Sequence, residues 1–284
     1  MHHDAEVGVA AILKHRQVSA MDDKALRTQS SPTGPSMVAH DPDLAGQDGL
    51  PTNMKIGCIS DVHGNGPALR AVISAMPDDL DAILFLGDIC GYYPFVDECA
   101  ELLRRNSVIG VRGNHDQVLI DCLDASTLPG QTYEETCGSA LRRSMSGLST
   151  SSESWIRSLP VTRTVTRNNV TFALFHGAPW DPLEGRVYPD FQDWHRFGVV
   201  VEDVVLLGQT HYPLEKRVDD KIIVNPGSVG QPRDQSGGAA YAVLDIDTRR
   251  VEHIRVPYEP RELIEDAQRH DPNLPYLVDV LIRR

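Results

Sequence analysis

The chain has 284 residues, 41% of them hydrophobic and 24% charged, so it can bury a sizeable core as one large domain or two small ones. A formal net charge of −13 argues against a general nucleic-acid coat, which is normally basic. The five cysteines, Cys58, Cys90, Cys99, Cys122 and Cys137, form no C-x-x-C pair, which disfavours a zinc ribbon or disulfide framework and favours a reducing compartment.

Residues 1–53 contain SSPTGPS and HDPDLAGQDGLP, rich in Ser, Pro, Gly and Asp and without periodicity. Such a segment buries too little surface to offset its ordering entropy, so a disordered extension is expected, with a short helix over Val7–Ala25. The apolar piece Val7–Leu13 is short and has no small-residue cleavage site behind it. No apolar run approaches the roughly 18 residues of a membrane span, and the expectation is a soluble, cytoplasmic protein.

From Met54 the pattern changes. MKIGCIS reads as a buried strand, and NGPALRAVISAM as a helix with Pro67 in its first turn and apolar Leu69, Val72, Ile73 and Met76. DAILFLGD reads as a second strand, FVDECAELLRR as a second helix, and SVIGVRGNHD as a third strand running into a loop. This alternation predicts a layered α/β domain.

Gln131–Leu159 reads as helical, with capping-box spacing at Thr150-Ser151-Ser152-Glu153. VTRTVTR and VTFALFHG read as strands joined by a turn at Asn168-Asn169. Val204–Leu207, Lys221–Val224, Ala239–Ile246 and Val251–Val256 read as further strands, the last two as a hairpin. The tail from Arg261 reads as helical and broken near Pro272 and Pro275. The expected organisation is an extension over 1–53, a domain over 54–258 and a helical tail over 259–284 packed on it.

Polar residues recur where the apolar strands end. Asp61-Val62-His63-Gly64 follows KIGCIS, Asp88 follows AILFLG, and Asn114-His115-Asp116 follows VIGVRG; His176-Gly177 follows TFALF, and Gln209-Thr210-His211 follows VVLLG. Open α/β sheets bind ligands at the carboxyl ends of their strands. Singly, Asp61 could be a helix N-cap, Asp88 or Asn114 a turn residue, and His176 or His211 a structural histidine. Five strand ends of metal-ligand type in succession argue for a site.

DVHG, GDICGYYP, GNHD, FHG and GQTH, in this order and spacing, resemble the calcineurin-like metallophosphoesterases, and NPGSVGQPRD (Asn225–Asp234) resembles their small stand-alone phosphodiesterase branch. The resemblance covers about Lys55 to Val256. It implies an αββα four-layer sandwich with two divalent metal ions at the sheet ends. Asp61, His63 and His211 would hold one ion, Asp88 would bridge, and Asn114, His176 and the residue at 209 would hold the other. His115 would stabilise phosphoryl oxygens or protonate the leaving oxygen, and Asp116 would orient it.

The family usually has histidine where this chain has Gln209. An amide oxygen suits harder ions than imidazole does, so Mn²⁺ is expected, with Fe, Ni or Zn as alternatives and a weak second site. The plainer alternative is that Gln209 points away and water fills its place. Arg233, Arg112 and Arg186 are the candidates for phosphate contact. Tyr92, Tyr93 and Trp180 are candidates for a stacking wall, and Gln131–Leu159 and Trp180–Asp190 for specificity elements. The expected activity is metal-dependent phosphodiester hydrolysis of a small-molecule or nucleotide ester. The alternatives are a phosphomonoesterase on a nucleotide or phosphoprotein, and a degenerate fold serving as a binding scaffold. Homo-oligomer formation is left open.

Overall fold

The computed structural model describes residues 54–283; the expected extension and its helix over Val7–Ala25 lie outside the described residues. The first sheet is built on β1 (Lys55–Ile59), β2 (Leu80–Phe85) and the two-residue β3 (Ile109–Gly110), all parallel. The second contains β4 (Thr162–Arg167), β5 (Val170–Phe175), β6 (Val204–Leu206), β7 (Pro213–Val218) and β8 (Lys221–Pro226). β9 (Ala239–Asp245) pairs antiparallel with β1, and β10 (Arg250–Val256) folds back on β9. The five-stranded orders are β10-β9-β1-β2-β3 and β4-β5-β6-β8-β7.

Strand periodicity sorts the apolar residues into separate cores. Ile56, Cys58, Leu84 and Leu86 face Phe172, Leu174, Leu206 and Val224 between the sheets. Ile59 and Phe85 point the other way, toward the helices. Both faces of these strands are covered, which is why they read as continuous apolar runs. The first sheet is backed by α1 (Gly66–Ala75), α2 (Val96–Arg105) and further helices. The outer face of the second sheet is covered by a 3₁₀ helix, Trp194–Val199, and an aromatic loop containing Trp180 and Phe191. The result is the expected four-layer α/β sandwich, with a thin fourth layer.

Asn168 and Asn169, at φ 47° and 62°, make the tight turn between β4 and β5. GNHD, by contrast, does not run into a loop. Helix α3 (Asn114–Ala125) starts there, and its first turn carries the motif. Gln131–Leu159 divides into α4 (Gln131–Cys137), α5 (Ala140–Met145) and α6 (Thr150–Ser158). The cap of α6 is Ser149, one residue before the expected box, and it accepts from Ser152 N while bonding Asp97 Oδ1. β7 was not legible in PLEKRV because only Leu214 is buried on this charged edge strand. After α7 (Arg261–His270), Asp271 accepts from Ser139 N at 2.8 Å, and α8 (Tyr276–Asp279) buries Leu277 in the first core. Among the described residues no helix is long and apolar enough to cross a membrane.

Candidate metal centre

The ends of β1, β2, β5 and β6 and the start of α3 meet at one edge of the sandwich. Asp61, His63, Asp88, Gln209 and His211 there have φ of 55°, 52°, 59°, 66° and 63°. Left-handed backbone is costly for such residues and persists only when its surroundings impose it. Asp61 N donates to Gly87 O at 3.0 Å and His63 N to Asp88 O at 2.9 Å. The NPGSVGQPRD loop holds the other side: Ser228 Oγ and Gly230 N both donate to Asp61 O. A Cβ at Gly230 would sit 1.9 Å from Val62 O, so this clamp requires glycine.

Three histidine rings are oriented alike. Nδ1 of His63 donates to Cys90 O, that of His176 to Leu86 O, and that of His211 to Gln231 O. In its neutral form each ring therefore presents an Nε2 lone pair to the centre. His63 Nε2 lies 3.0 Å from His211 Nε2, two lone pairs face to face. His211 Nε2 is 3.3 Å from Asp61 Oδ1. Beside them, His176 Nε2 is 3.3 Å from Asp88 Oδ2 and 3.1 Å from both Asn114 Oδ1 and Gln209 Oε1. Both Asp61 oxygens and Asp88 Oδ2 are buried without a hydrogen-bond partner.

With neutral rings these contacts are repulsive, and they become favourable around cations. The donors form two pockets that share Asp88: Asp61, His63 and His211 on one side, and Asn114, His176 and Gln209 on the other. The donor set therefore fits divalent metal ions. The electrostatics agree. Burial, then His211, push His63 down to about 3. Burial also opposes charge on His176, but Asp88 overrides it and raises that ring to about 10. Burial disfavours the Asp88 anion too, yet His176 and His115 hold it well below the usual carboxylate range. Around Asp88 and His176 the centre favours positive charge.

Gln209 does not point away. Its Nε2 donates to Leu183 O at 3.2 Å, which turns Oε1 toward His176. Asp116, however, does not orient His115. Its carboxylate accepts from Gly113 N, Asp88 N, Ile89 N and Cys90 N, tying the GDIC turn to α3. Burial and Asp88 push it up to about 6, against the bonds from Gly113 and Cys90. The group on His115 Nδ1 is the Tyr133 hydroxyl, at 2.6 Å. Tyr133 is buried on α4, and nothing in its local sequence singled it out.

Residues 54–249 match the calcineurin-like phosphoesterase superfamily domain. The chain belongs to that superfamily. A metallophosphoesterase from Sphaerobacter thermophilus is 31% identical in sequence, with TM-score 0.66 over 81% of this chain and 98% of its own. The hypothetical protein PH1004 from Pyrococcus horikoshii shares the fold at TM-score 0.67 and 22% identity, over 80% of this chain and 97% of its own. The uncharacterized protein MJ0912 of Methanocaldococcus jannaschii is 29% identical over 232 residues, 74% of this chain and 90% of its own.

Above the metallophosphoesterase centre opens a cavity of about 430 Å³. His115, Arg186 and Arg233 line it, together with Tyr92, Tyr188, Tyr212, Tyr276, Asp279 and Arg283 among others. Burial pulls Arg233 down to about 10, which leaves it cationic at neutral pH. Three expectations fail here. Arg112 does not line the cavity: its main-chain N–H is tied to Pro160 O and its buried Nε has no hydrogen-bond partner. Tyr93 is buried, its hydroxyl donating to Leu277 O. Trp180 stacks on Phe191 in the fourth layer. Tyr276 and Arg283 were missed because they come from the tail, more than 60 residues beyond His211 in sequence.

Proposed function

We propose that the protein hydrolyses phosphodiesters with two divalent cations, Mn²⁺ foremost. The observation that carries this is the pair of donor pockets sharing Asp88 at the floor of an arginine- and tyrosine-lined cavity. When bound, the cations supply a polarised water and charge stabilisation for in-line displacement. Arg186 and Arg233 bind the phosphoryl oxygens, and the tyrosines pack on the organic groups flanking the phosphate. A Tyr133 hydroxyl donating to His115 Nδ1 leaves Nε2–H facing the cavity, ready to donate to a phosphoryl or leaving oxygen.

The second reading is phosphomonoester hydrolysis, favoured by the three cavity arginines, which suit a dianion. The inward Gln209 Oε1 speaks against a scaffold with a decayed centre. The five buried cysteine thiols, none of them in a disulfide, suit a reducing, cytoplasmic setting.

The test is hydrolysis of a chromogenic phosphodiester and its monoester counterpart by metal-stripped protein titrated with Mn²⁺. Faster diester turnover that needs Mn²⁺ is expected. Preferential monoester turnover favours the second reading. No turnover with Mn²⁺, Fe²⁺, Ni²⁺ or Zn²⁺ sinks the proposal.

Gln209→His is expected to shift preference from Mn²⁺ toward Zn²⁺ or Fe²⁺, because imidazole replaces an oxygen donor. Competition titration reads this directly. An unchanged order of preference would remove Gln209 from the ligand set.

A further inference from the structure

Beside the second donor pocket lies a carboxylate that none of the readings above uses. The chain after His176 folds into a tight loop. Gly177 N donates to Pro182 O at 2.7 Å, Ala178 N and Gly185 N to Asp181 O, and Asp181 N to Ala178 O. Glu184 N donates to Asp181 Oδ1 at 3.2 Å. A Cβ on Gly177 would meet Asp181 O at 2.6 Å and Gly185 N at 2.8 Å, so the loop cannot relax away from the strand end. Leu183 O, in the same loop, is the acceptor that orients Gln209.

The next residue is Glu184. Both its carboxylate oxygens are buried with no partner in full hydrogen-bond geometry, and the Asn114 side chain is the group that approaches them as a donor. Asp88, Arg186 and His176 act on it through their charges, and the Asn114 side chain lies beside it. Three of those four neighbours, Asp88, Asn114 and His176, are donors of the second pocket. Asn114, Gln209 and Arg186 line the cavity, whereas Glu184 does not. It therefore sits beside the second-pocket donors and off the cavity wall, not where it would protonate a leaving group.

The second pocket has a charge deficit. Its donors are two amide oxygens, one neutral imidazole and a carboxylate shared with the first pocket. A buried carboxylate beside another carboxylate is costly unless a cation accompanies it. We infer that Glu184 gives the second cation the anionic oxygen that makes an imidazole at position 209 unnecessary, as a direct or water-bridged ligand. The inference rests on the dinuclear reading of the centre and adds a residue to it.

The test uses full-length, metal-stripped protein titrated with Mn²⁺, bound ions being counted from the loss of the free-ion electron paramagnetic resonance signal. Wild type is expected to bind two ions. Glu184→Gln should bind the first as wild type does and the second roughly 10- to 100-fold more weakly, the scale of losing a metal's supporting carboxylate. Adding Gln209→His to that variant should restore the second ion. Two ions bound by Glu184→Gln with wild-type affinities would overturn the inference and leave the dinuclear centre standing, with Glu184 then serving only as a partner for Arg186. Fewer than two ions on wild type would overturn both. If the amide variant fails to fold by circular dichroism, Glu184→Asp takes its place. A weakened second ion in that variant supports the inference and an unchanged one rejects it.

Discussion

Asp88→Asn is expected to lower kcat/KM for metal-dependent hydrolysis by roughly 10²- to 10³-fold, the cost of losing a preorganised charge partner of the reacting centre. Asp88 Oδ2 lies 3.3 Å from His176 Nε2 and 3.8 Å from His63 Nε2, so it faces both donor pockets. It has no hydrogen bond of its own. Asparagine keeps the acceptor that Asp88 Oδ1 offers His115 N at 2.9 Å, so the metal-free fold should survive. What would disappear is the negative charge that faces both donor pockets.

The control is thermal unfolding with and without chelator. A metal that binds only the folded state stabilises it by about 2.7 kcal/mol at a hundredfold excess over Kd. Wild-type protein should therefore melt lower in chelator, while Asp88→Asn should respond little. Retained turnover, or a wild-type response to chelator, would show that Asp88 does not join the pockets.

Asp116→Ala should act on stability instead. The carboxylate satisfies four buried main-chain N–H groups: those of Asp88, Ile89, Cys90 and Gly113. Leaving buried donors unpaired costs about 1–3 kcal/mol each, so a loss of roughly 4 kcal/mol or more is expected. That is a large share of the about 5–15 kcal/mol by which domains are stable. The left-handed turn at Asp88 would lose its tether to α3, and metal binding should weaken with it. Denaturant unfolding of the metal-free variant measures the first effect. A midpoint within experimental scatter of wild type would mean that water replaces the carboxylate and that the GDIC turn holds itself.

The strand ends were legible because burial on both faces forces continuous apolar runs, and each run stops where a ligand-type residue begins. Asp61, His63, Asp88, Asn114, His176, Gln209 and His211 all meet at that edge. The helix beginning at Asn114 was not legible, because its first turn is written in the same polar residues as the centre and its N-cap, Gly113, carries no side chain to announce it. A Cβ there would lie 2.0 Å from Asp88 Oδ1, so close approach, and not helix propensity, chose the glycine.

Sequence alone therefore determined the order of the strands and helices, β7 and the helix at Asn114 excepted, and the residue types at their ends. These are local properties, set by burial period and by which side chains stand beside which strand. Tertiary structure alone decided the roles that depend on contacts between distant segments. It gave Asp116 to the GDIC turn and Tyr133 to His115, brought Tyr276 and Arg283 from the tail to the cavity, and turned Trp180 into the fourth layer. It also set the buried Glu184 carboxylate beside Asn114 and His176. Partners separated by tens of residues meet only when loops close and sheets stack, and no periodicity along the chain encodes which of them will touch.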